Sequence, residues 1–114
     1  MGKELAFWKQ NSISNNYSEI YDTLLSGQHV EFIDTIPSDD IRKRISSEFK
    51  DWVCNNNFQY ENGKAAFDVF ITDQIVRFDC YSLTYGELNK IIDIMLEYGC
   101  FLYDPDLNVR FDGK

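Results

Sequence analysis

The amino-acid sequence predicts an α+β fold in which a mainly antiparallel sheet of about five strands packs against three helices. Residues 64–81 alternate apolar and polar side chains with a period of two, which is typical of half-buried strands. Other segments repeat apolar residues at helical spacing. The expected order of elements is β-α-α-β-β-β-α-β, and the 114 residues are expected to form a single domain, 1–114.

The first quarter of the chain is predicted to hold a strand and a helix. Residues 4–9 alternate as a short strand that is apolar on both faces. Asn16 is the predicted N-cap of the first helix, Glu19 completes a capping box, and Gly27 suits the C-terminal end. The following segment, 29–36, is consistent with either a connector or a short edge strand.

The second helix is predicted to begin at Pro37 and Ser38 and to continue to Cys54. Its predicted buried stripe consists of Ile41, Ile45, Phe49, Trp52 and Val53. Arg42-Lys43-Arg44 is the basic cluster of the sequence. Four acids balance four bases between residues 39 and 54, so we interpret this cluster as a solvated helix face.

The remaining strands are predicted from turn chemistry. Asn62-Gly63 indicates a β-hairpin with a type I′ turn, which joins a strand at 58–61 to the 64–81 stretch in an antiparallel meander. Two extended segments, 101–103 and 107–111, are separated by a proline turn.

A third helix is predicted to begin after Thr84, where Thr-Tyr-Gly-Glu forms a capping box, and to end at Gly99. Its predicted core-facing side chains are Leu88, Ile91, Ile92, Met95 and Leu96.

The tetrapeptide Val-Arg-Phe-Asp occurs twice, ending at Asp79 and at Asp112. If the two copies lie on adjacent antiparallel strands, Arg77 approaches Asp112 and Arg110 approaches Asp79. We therefore predict that these two strands are antiparallel neighbours.

Charge and hydropathy narrow the classes of function. Eleven Lys and Arg against nineteen Asp and Glu give a net charge of -8, which opposes binding to nucleic acid and favours a basic protein partner. No apolar run is long enough to span a membrane and no signal peptide is apparent, so we expect a cytoplasmic protein without a membrane partner.

Residues suited to catalysis or metal binding are few. The three cysteines, Cys54, Cys80 and Cys100, are far apart and accompanied by a single histidine, His29, so we expect neither a metal nor a disulfide framework. A nucleophile elbow and a glycine-rich phosphate loop are both lacking, and we expect neither a cofactor nor an enzyme. Asp104-Pro-Asp106 with Asn108 lacks the glycine and glutamate of a calcium loop, and we interpret it as a turn.

The acidic residues are unevenly distributed. Residues 10–41 contain six carboxylates and no Lys or Arg. We predict that these carboxylates bind the partner, because an uninterrupted acidic surface steers a basic protein. An ordinary solvated surface is the alternative. The six residues are Glu19, Asp22, Glu31, Asp34, Asp39 and Asp40.

Three segments carry a resemblance to a known class of protein: Leu-Ala-Phe-Trp-Lys at 5–9, Val-Arg-Phe-Asp-Cys-Tyr at 76–81 and Tyr-Gly-Cys-Phe-Leu-Tyr-Asp-Pro at 98–105. With them the chain resembles small acidic bacterial immunity proteins, which are encoded beside toxins in contact-dependent growth inhibition and polymorphic toxin systems. The resemblance implies an inhibitor that covers the active site of one cognate toxin, often a cationic nuclease. It implies no particular site residues. Two alternatives stay open: a homodimeric adaptor that pairs through an edge strand, and a small enzyme that uses carboxylates.

Overall fold

The computed structural model describes residues 2–11, 16–56 and 58–111. These residues form an antiparallel sheet of seven strands with three helices, so the α+β class is confirmed and the sheet has more strands than the five expected. The elements in chain order are β1 (Gly2–Trp8), α1 (Tyr17–Leu25), α2 (Ser38–Glu48), β2 (Val53–Asn55), β3 (Gln59–Asn62), β4 (Ala65–Ile71), β5 (Val76–Tyr81), α3 (Tyr85–Glu97), β6 (Phe101–Asp104) and β7 (Val109–Arg110).

Strand β1 lies inside the sheet, whose order is β2-β3-β4-β5-β1-β6-β7. Successive side chains of a strand point to opposite faces. Leu5 and Phe7 accordingly belong to one hydrophobic core and Ala6 and Trp8 to another, and all four are buried. The prediction of a first strand buried on both faces is confirmed.

The larger core lies between the sheet and the two helices α2 and α3. Ile41 and Ile45 of α2 meet Ile91 of α3 over Phe67 and Phe78 of the sheet. Each of these side chains is almost fully buried, which stabilises the fold by about 1.5–3 kcal/mol per side chain. This core therefore fixes α2 and α3 on one face of the sheet.

The smaller core places α1 on the opposite face. Ile20, Tyr21 and Leu24 of α1 pack with Trp8 of β1 and Tyr103 of β6. The rings of Tyr21 and Tyr103 lie 5.4 Å apart between centroids. Helix α1 therefore covers the β1–β6 part of its face.

Residues 29–36 cross the end of the sheet as a loop. Ile33 packs in the smaller core and Ile36 in the larger one, so the chain changes face between them. The buried Gln74 anchors the loop: its Nε2 donates to the carbonyls of Val30 and Ile33 at 2.9 and 2.8 Å, and its Oε1 accepts from the Val30 N–H at 2.9 Å. An isolated bridge between Gln10 and Ile33 is the strand-like pairing in this segment.

The predicted capping box of α1 does not form. The Asn16 side chain makes no capping hydrogen bond, and its backbone at φ -82° and ψ 58° departs from the extended conformation usual for an N-cap. The glycine expected at the end of this helix, Gly27, does adopt a positive φ of 86°.

Helix α2 is shorter than predicted. It ends at Glu48 rather than Cys54, and Val53 is 62% exposed instead of buried. Residues 53–55 form β2, because they pair with Gln59–Glu61 of β3, and Asn56 after β2 has φ 56°. Pairing between strands thus overrides the helical apolar spacing.

The hairpin predicted at Asn62-Gly63 is confirmed, but its turn lies one residue further along. Asn62 pairs with Ala65, so Gly63 and Lys64 are the central residues. Of these two, Gly63 alone has positive φ, at 64°, which fits a type II′ turn rather than type I′.

Helix α3 begins as predicted. Thr84 Oγ1 accepts from the Glu87 N–H at 3.1 Å, and Glu87 Oε1 accepts from the Thr84 N–H at 2.9 Å. The buried side chains are Ile91, Ile94 and Met95. Ile94 was not among the predicted core residues, and the remaining predicted ones are half-buried.

The predicted pairing of the two Val-Arg-Phe-Asp copies is wrong. The first copy lies in β5 and the second begins in β7, and both β1 and β6 separate these two strands. The place beside β5 is taken by β1, whose two apolar faces favour an interior position. Arg77 instead pairs with Asp79 of its own strand at 3.1 Å, and Arg110 Nη2 donates to the Trp8 carbonyl at 2.7 Å. Asp112 lies outside the described residues.

Candidate functional site

The six predicted partner-binding carboxylates lie on three parts of the surface. One face of the sheet carries Glu19 and Asp22 on α1 and Glu31 on the 29–36 loop. The opposite face carries Asp39 and Asp40 in the first turn of α2. Asp34 lies at the end of the sheet, between the two faces. The continuous acidic segment of the sequence is therefore not one continuous surface.

Glu19 and Glu31 are brought together in a groove of about 410 Å³ between α1 and the 29–36 loop. His29 and Thr23 also line it. Both glutamates are exposed, and neither forms an ion pair with a described Lys or Arg. The groove therefore presents two uncompensated carboxylates to solvent.

Asp34 holds the loop as well as facing solvent. Its backbone N–H donates to the Lys9 carbonyl at 2.8 Å, and its Oδ1 accepts from Asn11 Nδ2 at 2.6 Å. These contacts tie the 29–36 loop to the chain that leaves β1.

A row of carboxylates crosses three strands on the α1 face of the sheet. Asp79 of β5 lies directly opposite Glu4 of β1 on one side and Asp68 of β4 on the other. Side chains at directly paired positions share a face, with Cβ atoms about 4.5–5.5 Å apart. Strand periodicity placed Asp68 and Asp79 on polar faces, but no sequence signal revealed the row, because it depends on the strand order and register.

Burial disfavours the charged form of Asp79, which lies at the centre of this row. It raises the pKa of Asp79 above its ordinary value; Arg77 opposes that shift, and the neighbouring Glu4 and Asp68 add to it. At one end of the row, the Tyr21 hydroxyl donates to Glu4 Oε1 at 2.5 Å. Burial, together with this contact, raises the pKa of Tyr21.

Beyond α1, the same face of the sheet carries exposed apolar side chains. Val53, Phe70 and Tyr81 are 62%, 40% and 44% exposed. Strand pairing places them on the face of the carboxylate row. We call this surface the open face, defined by Glu4, Asp68, Asp79, Val53, Phe70 and Tyr81.

The basic cluster of α2 is partly neutralised by neighbouring acids. Arg44 lies 3.0 Å from Glu97 of α3 and 3.3 Å from Glu48 of its own helix. Arg42 and Lys43 are exposed. These contacts agree with the interpretation of the cluster as a solvated helix face.

The Asp104–Asn108 segment is a turn, as interpreted from the sequence. Asp104 Oδ1 accepts from the N–H groups of Asp106 and Leu107 at 3.0 and 3.4 Å, and its Oδ2 lies 2.6 Å from Lys3 Nζ. Within the described ranges, no three His, Cys, Asp or Glu side chains are placed to hold a metal ion together. None of the helices described is long and apolar enough to cross a membrane.

The three thiols differ in environment. Burial raises the pKa of Cys80 to about 12 and that of Cys100 to about 11. Cys54 is exposed on the edge strand β2. The buried pair is therefore inert at neutral pH.

No protein-family model, no curated protein and no solved structure matches this chain. A function for it has to be inferred from its own residues and geometry.

Proposed function

We propose that this chain is an immunity protein that binds one cognate basic toxin, of the nuclease type, and neutralises it by covering its active site. The observation that supports this proposal is the charge: the chain carries a net charge of -8. None of the six carboxylates between residues 19 and 40 forms an ion pair with a described Lys or Arg. Uncompensated carboxylates project a negative field into solvent.

An acidic protein suits the inhibition of a nuclease for an electrostatic reason. A nuclease holds a phosphate backbone with clustered cations, so its substrate channel is positive. A carboxylate-rich surface competes for these cations and keeps the nucleic acid out.

The six carboxylates act mainly on the rate of encounter. They lie on opposite faces of the sheet, so they do not all contact one partner at once. Their summed field nevertheless attracts a basic protein, and such steering raises association rates by about 10–1,000-fold at low salt.

The proposal is tested on the protein domain encoded directly upstream of the gene. We expect that domain to be toxic when expressed alone, to be neutralised by this chain and to form a stable complex with it. An upstream domain that is harmless, or that is toxic but does not bind this chain, would contradict the proposal.

Charge reversal tests the predicted residues. Asp34→Lys with Asp39→Lys should slow association with the toxin domain roughly tenfold at low salt and flatten its salt dependence. The matched control, Asp51→Lys with Asp93→Lys, changes the net charge equally at exposed positions elsewhere. Stopped-flow fluorescence measures both, and an equal slowing in the control would show that net charge alone is responsible.

The short edge strands of the sheet fit an inhibitor better than a homodimeric adaptor. The edge strands β2 and β7 are only three and two residues long, and short edges resist pairing with another chain. The proposal places the protein in the cytoplasm, where such a toxin would act and where its three free cysteines suit the reducing conditions.

A further inference from the structure

We propose that the open face of the sheet is the docking surface for the partner and receives arginine or lysine side chains from a basic protein surface. The inference rests on the proposed function for the partner's biological identity, but its chemistry is argued from this face alone. The carboxylates between residues 19 and 40 steer the partner, whereas the open face holds it.

The carboxylate row is unfavourable for the fold by itself. Glu4, Asp79 and Asp68 stand opposite one another on three adjacent strands, and directly opposed like charges destabilise a sheet. Local conflicts of this kind concentrate at functional sites. Arg77 supplies one positive charge against these three carboxylates, and a cation from outside would relieve the repulsion that remains.

Exposed apolar side chains lie next to the row. Phe70 and Tyr81 are positioned to act as anchors, since aromatic side chains carry much of the energy of protein interfaces. The Tyr81 ring lies against Gly2, where an added Cβ would come 2.9 Å from the Tyr81 Cε1 atom. The Tyr81 ring therefore packs against the Gly2 backbone on one side and stays 44% exposed.

Arg77 shows how this face binds a guanidinium group. Its Nη2 lies 3.1 Å from Asp79 Oδ2, and its guanidinium carbon lies 5.7 Å from the centre of the Phe70 ring. Asp68 and Tyr81 offer the same combination of a carboxylate and an aromatic ring, and neither pairs with a cation among the described residues. They are therefore suited to a cation from the partner.

Charge complementarity selects the class of partner. Phosphate groups of a nucleic acid would be repelled by the row. A second copy of this chain, docked through the same face about a two-fold axis, would oppose carboxylates to carboxylates. A basic protein surface satisfies both the carboxylates and the exposed aromatic rings.

The test uses a short peptide of alternating arginine and glycine with blocked ends, added to ¹⁵N-labelled protein at low salt. We expect the largest amide shifts at Asp68, Phe70, Asp79 and Tyr81. Asp68→Asn combined with Tyr81→Ser should weaken the peptide roughly tenfold, from the loss of one partly exposed ion pair and one cation–π contact. The control Asp93→Asn removes one charge from α3 on the opposite face and should weaken it less than twofold.

Shifts concentrated in the groove of Glu19 and Glu31, or equal weakening by Asp68→Asn/Tyr81→Ser and by the control, would overturn the inference. Thermal melting of each variant checks that the fold is retained, because Asp68 is half-buried and Tyr81 is exposed.

The toxin domain separates this inference from the proposed function. If the domain binds and the double variant speeds its dissociation roughly tenfold, both stand. If it binds and the double variant dissociates at the original rate, the inference fails and the function stands. If no toxin is bound but the peptide maps to the open face, the proposed function fails and the inference stands.

Discussion

Replacing Asp79 by asparagine should stabilise the folded protein at neutral pH, although it removes an ion pair. Asp79 is flanked by Glu4 and Asp68, and each like-charge pair costs about 0.2–1 kcal/mol. The lost contact is the 3.1 Å pair with Arg77, whose partly exposed geometry is worth about 0.2–1 kcal/mol. Two relieved repulsions and the removal of a partly buried charge, set against one lost attraction, leave a net gain of about 0.5 kcal/mol, or roughly 2–4 °C in Tm.

The pH dependence of this gain follows from the pKa of Asp79, which is raised above its ordinary value of 3.8 by burial first and by Glu4 and Asp68 as well. A carboxyl group whose folded pKa is raised binds its proton more tightly in the folded state. The stability it contributes is present below the unfolded pKa and is lost as the pH rises through the folded pKa. The asparagine variant should therefore be more stable than the original protein at pH 7 and equally stable near pH 3.

Thermal unfolding followed by circular dichroism at the two pH values measures both effects. The control is Asp93→Asn, which removes an exposed carboxylate from α3 and should leave Tm unchanged at either pH. A lower Tm for Asp79→Asn at pH 7, or a gain of equal size at pH 3, would refute the explanation in terms of opposed carboxylates.

Three further predictions concern contacts away from the carboxylate row. Asp104→Ala should destabilise the protein by about 2–3 kcal/mol in urea unfolding, because it removes the 2.6 Å partner of Lys3, which keeps a 3.4 Å contact with Asp106, and the acceptor of two turn N–H groups. Ellman's reagent at pH 8 should modify one thiol per folded chain, that of Cys54, and all three after denaturation; Cys54→Ser should abolish the fast reaction. Gln74→Ala should cost about 2–4 kcal/mol and speed hydrogen exchange at the Val30 amide, whereas unchanged exchange would contradict the anchoring role of this side chain.

Local patterns were sufficient to predict much of the fold. The capping box at Thr84, the glycine turn at Gly63 and the two-faced apolar strand at the N-terminus each depend on residues close in sequence. The sequence does not predict the short strand β2, because Val53 continues the helical apolar spacing of α2 and the strand depends on pairing with the distant residues of β3.

The sequence patterns do not predict the order of the strands in the sheet. The insertion of β1 between β5 and β6 separates the two Val-Arg-Phe-Asp copies, and nothing local indicates it. The same insertion brings Glu4 beside Asp79, so the carboxylate row could not be predicted. The acidic segment 19–40 is continuous in sequence, which predicts one surface, whereas the change of face between Ile33 and Ile36 divides it.

The Gln74 anchor makes the 29–36 loop tolerant of change. The Gln74 side chain forms hydrogen bonds only with main-chain atoms of Val30 and Ile33. These hydrogen bonds therefore do not depend on the identity of the side chain at position 31 or at the exposed positions beside it. Substitutions at those exposed positions change the side chains that the loop presents to solvent, while its path over the sheet stays the same. An inhibitor of the proposed kind can therefore change the exposed side chains of this loop without changing its fold.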